Sequence, residues 1–317
     1  MTYILLIVGF ALLIKGADLF VDGSSNIARL LRIPAILIGL TIVAFGTSSP
    51  EATVSIIAAL EGSAHVSLGN VVGSNIFNIT LVVGVAAFLY PLKVENETIR
   101  KEIPFTLLAS AALLILMSDI ALQGFSSNLL TRSDGIIFLL FLAIFMYYVI
   151  EIGLKSRKNT EEEQAPKDIK WGKNILITIL GLAGIIFGGN LVVDNGTEIA
   201  YSLGMSETLV GLTIIAIGTS LPELVTSISA ALKKESEIAL GNIVGSNIFN
   251  ILFVLGISAT ISPLAVDNKV FIDVGIMIAL TAVLLIFSRT SFRVGKREGL
   301  VLAAAYIIYL VYIILRN

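Results

Sequence analysis

The chain has no cysteine and one histidine, His65. Disulfides, thiolate metal centres and cysteine nucleophiles are therefore excluded, and so is a paired-histidine zinc motif. The missing cysteine does not fix a compartment. Charge is also scarce: 14% of residues are Asp, Glu, Lys or Arg, against roughly 25% in soluble domains. Apolar residues make up 56% of the chain, and the mean hydropathy is +0.95. Runs long enough to span a bilayer recur along the whole length, so the chain is an integral membrane protein surrounded by lipid. The net charge of −2 decides nothing, because in a membrane protein the distribution of charge matters more than its sum. No basic residue precedes the first apolar run at Tyr3, so the N-terminus is expected to belong to the first span rather than to a cleaved leader. Nothing in the chain implies a nucleic acid, a protein partner or a cofactor.

What is present is present twice. Residues 39–60 read GLTIVAFGTSSPEATVSIIAAL, residues 211–232 read GLTIIAIGTSLPELVTSISAAL, and 15 of the 22 positions are identical. A second block, GNVVGSNIFNI at 69–79, returns as GNIVGSNIFNI at 241–251 with ten of 11 identities. Both blocks are offset by 172 residues, which marks a duplicated half. Each copy sets a glutamate, hydroxyls and an asparagine in an otherwise apolar stretch. Two such clusters in two membrane halves point to one site at a pseudo-symmetric interface.

The hydropathy predicts an all-α membrane protein with ten transmembrane helices, at about 2–27, 34–60, 66–90, 103–119, 134–153, 173–197, 207–232, 238–262, 270–288 and 299–316. Residues 1–154 form a first repeat, 155–172 a polar linker and 173–317 a second repeat. Loops after the odd-numbered helices hold 17 Lys and Arg residues, and the opposite side holds three, Arg132, Lys269 and Arg316. Basic residues accumulate on the cytoplasmic side, so both termini are expected outside a cell membrane, with the linker cytoplasmic. Five helices per half is odd, so the second half should enter the membrane inverted. The charges agree: Glu61 and Lys233 are equivalent positions, yet one falls outside and the other inside. Inverted repeats are typical of secondary transporters with a midplane site.

Read as one helix, residues 44–51 place Thr47, Ser48 and Glu51 on a single face. Pro50 would free the carbonyl of Gly46, which in lipid must face protein, water or an ion. Thr219, Ser220, Pro222 and Glu223 repeat the arrangement. In the following helices Ser74 and Asn78, and Ser246 and Asn250, are four apart. Gly69, Gly73, Gly241 and Gly245 are expected to let those helices come close. Carboxylate, hydroxyl, amide and carbonyl are all hard oxygen donors, which suit Ca²⁺ or Na⁺ and argue against zinc or copper. Two buried carboxylates must be satisfied by one divalent ion, two monovalent ions, or protons.

These motifs resemble the alpha repeats of the calcium/cation antiporter superfamily, in particular its sodium/calcium exchanger branch and the small prokaryotic calcium/sodium antiporters. The resemblance covers the whole chain. Proton/calcium exchangers usually carry a glutamate where this chain has Gly73 and Gly245, which favours the sodium-coupled branch. The resemblance implies a secondary antiporter, not an enzyme, exchanging Ca²⁺ for Na⁺ by alternating access; H⁺/Ca²⁺ exchange at the same glutamates is the alternative. It implies Glu51 and Glu223 as acidic calcium ligands, with Thr47, Ser48, Thr219 and Ser220 as flanking oxygens. The carbonyls of Ala44 and Ala216 would serve sodium, and Ser74, Asn78, Ser246 and Asn250 would complete the site. Family members often have aspartate where this chain has Asn250, so the centre here has two carboxylates rather than three. In this family the first helix of each half lies outside a central core and slides.

Three secondary readings complete the picture. Lys15 and Asp18 are expected to form an ion pair within the first helix. His65 is placed at the surface near an outer loop. Trp171 and the Tyr147–Tyr148 pair are expected to anchor at the membrane interface. A cation channel is disfavoured, because two glutamates in inverted symmetry suit a gated site better than a ring of several subunits.

Overall fold

Glycine decides which of the apolar helices touch. The computed structural model describes residues 1–61, 64–159, 170–204 and 216–316. The first helix, α1 (Thr2–Leu31), is followed by α2 (Ala35–Thr47) and α3 (Ser49–Leu60), which meet at a 50° bend. Then come α4 (Val66–Leu89), α5 (Ile103–Leu116) and α6 (Arg132–Asn159). The second half contains α7 (Trp171–Ser202), α8 (Ala216–Thr219), α9 (Leu221–Leu232), α10 (Ser236–Ile261), α11 (Asn268–Ser291) and α12 (Lys296–Arg316).

Among the described residues, seven helices are long and apolar enough to cross a membrane, or eight if the bent pair α2–α3 is one span. The other two expected spans correspond to shorter helices. α5 has 14 residues and follows a π-helical turn at Thr98–Glu102. α8 and α9 lie at the end of the expected 207–232 helix, whose first part is outside the described residues. Most of the 155–172 linker and the side chain of His65 are outside them too.

Two short antiparallel bridges qualify the all-α expectation. Leu92–Lys93 (β1) pairs with Arg293–Val294 (β4), and Leu129–Leu130 (β2) pairs with Leu264–Ala265 (β3). β1 and β3 occupy equivalent positions at the 172-residue offset, so each half lends its matching loop to the other.

α10 is the centre, with 94% of its apolar window buried, whereas the windows of α6 and α12 are only 22% buried. Gly241 and Gly245 put it there. A Cβ on Gly241 would lie 2.7 Å from the carbonyl of Ile36, and one on Gly245 would lie 2.7 Å from Ala44 Cβ. α10 thus rests directly on α2, as expected for these two glycines. The residues that the repeat would set against Gly69 and Gly73 fall almost wholly outside the described ones.

α1 and α7 lie along each other, antiparallel, in the most extensive helix contact among the described residues. Gly16 faces the backbone of Gly181 and Ile185, while Gly9 meets Gly188 and Val192 and Gly23 meets Thr178. Their outer faces carry exposed Ile4, Ile7, Phe10, Leu176, Ile179 and Phe187, a surface that suits lipid.

Two local expectations fail. Asp18 and Asp22 pair with Lys233 of the second half, and Lys15 takes no part. Tyr147 is exposed, and so is Trp171, but Tyr148 turns inward and donates to Glu102 Oε1 at 2.5 Å. Glu102 is only 1% exposed, and a buried carboxylate needs a donor more than an interface needs a second tyrosine.

Candidate cation-binding site

Each repeated motif makes a helix break, not one helix with a kink. α2 ends at Thr47, Ser48 leaves helical geometry (φ −82°, ψ 7°), and α3 restarts with Pro50 in its first turn. Proline suits a first turn because the N–H it lacks has no partner there. The same break recurs at Ser220 (φ −94°, ψ 6°) ahead of α9, with Pro222 in the first turn. This corrects the single-helix reading of residues 44–51: Thr47 and Glu51 sit on different helices. The carbonyl of Gly46 is not left open either, because Ser49 Oγ donates to it at 2.8 Å. The breaks place Glu51 and Glu223 in the first turns of α3 and α9, where the positive end of the helix dipole favours a carboxylate.

Ser48 and Glu51 have the spacing of a helix-capping box, but the serine does not cap its own helix. Ser48 Oγ donates to Glu223 Oε1 at 2.8 Å, and Ser220 Oγ donates to Glu51 Oε1 at 2.9 Å. Each half therefore holds the other half's glutamate. Ser74 Oγ lies 3.0 Å from Ser220 Oγ, and Ser246 Oγ lies 3.4 Å from Glu223 Oε1. Both carboxylates are 0% exposed.

The asparagines add a second crossed layer. Asn78 Nδ2 donates to Asn247 Oδ1 at 3.2 Å, and Asn250 Nδ2 donates to Asn75 Oδ1 at 3.1 Å. With the amide N–H committed, the amide oxygens are left to accept. Asn78 and Asn250 each open a π-helical turn, at Asn78–Val82 and Asn250–Leu255, a backbone feature frequent at functional sites.

Among the described residues, four buried oxygens in this region have no hydrogen-bond partner: Glu51 Oε2, Glu223 Oε2, Asn78 Oδ1 and Asn250 Oδ1. They are two equivalent pairs, one from each half. Orphaned buried acceptors are costly and rare, and here they are duplicated by the repeat. The donor set is two carboxylates and two amide oxygens beside serine hydroxyls, which is chemistry for a hard cation.

The remaining expected residues lie nearby in supporting roles. Thr47 Oγ1 donates to Asn242 Oδ1 at 2.9 Å, and Thr219 Oγ1 is 3.5 Å from Asn70 Oδ1. The carbonyl of Ala44 accepts the Ser48 N–H at 3.0 Å, and Ala216 opens α8. Asn70, Asn242, Asn75 and Asn247 were not anticipated. Asn70 Nδ2 reaches the Glu51 carbonyl at 3.3 Å and Ser55 Oγ at 3.0 Å, and Asn242 Nδ2 reaches the Glu223 carbonyl at 3.3 Å and Ser227 Oγ at 2.9 Å. These amides lock the motif helices to α4 and α10. Their signal is in the sequence, since all three asparagines of the second block are duplicated.

A cavity of about 460 Å³ runs from Asp194 on α7 to Ser49, Pro50, Gly218, Thr219 and Pro222. It brings open space to both helix breaks.

The sequence pattern of the family described as "Sodium/calcium exchanger protein" matches residues 1–151 and 173–315. The putative antiporter CaxA of Alkalimonas amylolytica is 42% identical over 316 residues, covering 96% of each chain. The sodium/calcium exchanger MaX1 of Methanosarcina acetivorans is 34% identical, covering 98% of this chain and 97% of that one. Among solved structures, the sodium-calcium exchanger NCX_Mj soaked with 2.5 mM Na⁺ and 1 mM Sr²⁺ superposes with a TM-score of 0.84 at 30% identity, over 98% of this chain and 97% of that one. The matches to the family pattern, to whole-length relatives and to a solved exchanger fold show the same thing: the chain belongs to the sodium/calcium exchanger family of multi-pass membrane ion exchangers, which are not enzymes.

Proposed function

We propose that this protein is a ten-span antiporter that exchanges Ca²⁺ for Na⁺ by alternating access, through one midplane site shared by two inverted halves. The observation that carries the reading is the crossed geometry of Glu51 and Glu223, with one unpartnered oxygen on each carboxylate and one on each of Asn78 and Asn250. A site built jointly by two halves changes shape when either half moves. The sliding element is the glycine-packed pair α1–α7, which lies against the rest of the bundle.

Charge balance narrows the coupling. The site holds two carboxylates, and the amides at Asn78 and Asn250 are neutral, so its formal charge is −2. One Ca²⁺ or two monovalent cations neutralise it, whereas a third Na⁺ would leave a net positive charge in a desolvated pocket. The exchange is therefore expected to be electroneutral. Proteoliposomes loaded with sodium should accumulate ⁴⁵Ca²⁺ when diluted into sodium-free buffer, and an imposed membrane potential should leave the rate unchanged. Uptake driven by a pH gradient without sodium would instead establish the proton-coupled alternative. Under either ion, protons compete for the same oxygens, so calcium affinity should weaken as pH falls.

Topology gives a separate test. β1 pairs with β4 and β2 with β3. In a ten-span chain these pairings join loops after spans 3 and 9, and after spans 4 and 8, so each pair shares one side. Because the chain has no cysteine, single thiols can be introduced freely. Lys170→Cys and Lys234→Cys should react with an impermeant maleimide only from the cytoplasm, and Glu61→Cys and Asp267→Cys only from outside. Reaction of Glu61→Cys and Lys234→Cys from one face would break the inverted-repeat reading.

A further inference from the structure

We propose that Lys233 is a positioning residue of the transport cycle: with Asp18 and Asp22 it forms an ionic latch that holds α1 against α9, closes one end of the passage, and biases the exchanger toward the state open at the other. The proposal rests on the alternating-access reading above and adds which end is held, and by what.

Lys233 follows the last residue of α9. Its Nζ lies 2.7 Å from Asp22 Oδ1 and 3.8 Å from Asp18 Oδ1, and donates to the Asp18 carbonyl at 2.6 Å. Ser229 Oγ donates to Asp18 Oδ1 at 2.7 Å. One and two turns further along α1, Ser25 Oγ and Arg29 donate to Glu235 at 2.8 Å and 3.0 Å. All these contacts join the first helix of one half to the second half. The Lys233 side chain is 27% exposed, while Asp18 is 39% and Asp22 58% exposed, so solvent screens the carboxylates more than the lysine. The network resists sliding of α1 through the number of its bonds rather than through burial, because any shift along the helix axis breaks several charge-assisted bonds together.

The duplication supplies an internal control. The equivalents of Lys233, Asp18, Asp22, Arg29 and Ser229 are Glu61, Asn190, Asp194, Tyr201 and Ile57. The equivalent positions at the opposite end hold no cation, and an acid stands in place of the lysine. Asp22 and Asp194 lie at opposite ends of the antiparallel α1–α7 pair, where Gly23 meets Thr178 and Gly9 meets Gly188. The structure is open where the latch is missing: Asp194 lines the 460 Å³ cavity that reaches both helix breaks. Among the described residues, this ionic tie is present at one end and has no counterpart at the other, although the two halves share their site motifs almost residue for residue.

The test reads access from each side. Thr53 lines the open cavity, and its equivalent in the second half is Val225. Thr53→Cys and Val225→Cys, each in the otherwise cysteine-free protein, are reconstituted in vesicles and labelled with an impermeant maleimide from each face. Lys233→Met should raise Val225→Cys labelling from the cytoplasm by about fivefold or more and lower Thr53→Cys labelling from outside. The swap Lys233→Asp with Asp22→Lys should bring both rates back toward the parent. Glu61→Lys supplies the missing cation at the other end. It should shift labelling in the same direction as Lys233→Met while the native latch is intact, which local damage at Lys233 cannot imitate. Unchanged labelling in both Lys233→Met and Glu61→Lys overturns the latch, as does a swap that behaves like Lys233→Met alone. Sodium-driven ⁴⁵Ca²⁺ uptake by the same vesicles separates the two ideas: uptake with unmoved labelling sinks the latch and spares the antiport reading, while shifted labelling without uptake does the reverse.

Discussion

Glu51→Gln, and separately Glu223→Gln, should abolish calcium transport while leaving the protein folded. Each substitution keeps the shape of the side chain and removes one of the two charges that balance a desolvated divalent ion. The neighbouring serine still has an oxygen to donate to, so the crossed bonds from Ser220 and Ser48 can persist. Losing one partner of a buried charge pair costs about 3–5 kcal/mol, and at roughly 1.4 kcal/mol per decade calcium affinity should fall at least a hundredfold. Stability without metal should not fall, because two like charges no longer share the pocket. What should vanish is the rise in unfolding temperature on adding Ca²⁺, since only a ligand that binds the folded state confers one. Calcium flux near the parent level in either variant would remove that glutamate from the site. The effect should be equal in kind for both residues, because each carboxylate is held by the opposite half.

Gly16→Leu should be nearly as damaging, for a different reason. Gly16 touches no ion. A Cβ there would lie 2.7 Å from the backbone N of Ile185 and 2.8 Å from the carbonyl of Gly181. Backbone cannot swing aside as a side chain can, so α1 and α7 must separate along their contact. Overpacking of this kind typically costs about 1–3 kcal/mol, and it strikes the pair of helices proposed to slide as a unit. The expected result is a lower unfolding temperature together with a large drop in exchange rate. Gly275→Ala is the matched control, because a Cβ at Gly275 meets nothing within 4 Å; there the better helix propensity of alanine should stabilise slightly. If Gly16→Leu unfolds and transports like the parent, the helices can spread without cost, and the close α1–α7 contact is not what makes them a unit.

The two glutamates were legible in the sequence for a physical reason: a carboxylate in an apolar stretch is too costly to keep without a use, and this one stands in both halves, as Glu51 and Glu223. Ser48 and Ser220 followed from helical spacing to the glutamates, while Ser74, Asn78, Ser246 and Asn250 came in through the family resemblance of the second block. The pairing did not follow. Spacing places Ser48 beside Glu51 on an imagined continuous helix, but the break at Ser48 turns it to Glu223, and no one-dimensional pattern shows which half receives the bond. Asn75 and Asn247 were visible as repeated letters, yet their partners sit on the opposite copy of the same motif. The expected Lys15–Asp18 pair failed similarly. A helix-local ion pair contributes only about 0.2–0.5 kcal/mol, while Lys233 offers Asp18 and Asp22 several bonds at once. Tyr148 looked like its neighbour Tyr147, and only the buried Glu102 across the helix interface distinguishes them. Local chemistry was readable, and contacts between elements distant in sequence were not.

If the two halves hold one calcium site in common, equilibrium binding of ⁴⁵Ca²⁺ to the purified protein will show it, measured with and without Na⁺ and in both glutamine variants. One Ca²⁺ should bind per chain, be displaced by Na⁺, and be lost in Glu51→Gln and in Glu223→Gln alike. Two Ca²⁺ per chain, or one that survives in either variant, would show that the halves bind separately and that the shared site is wrong.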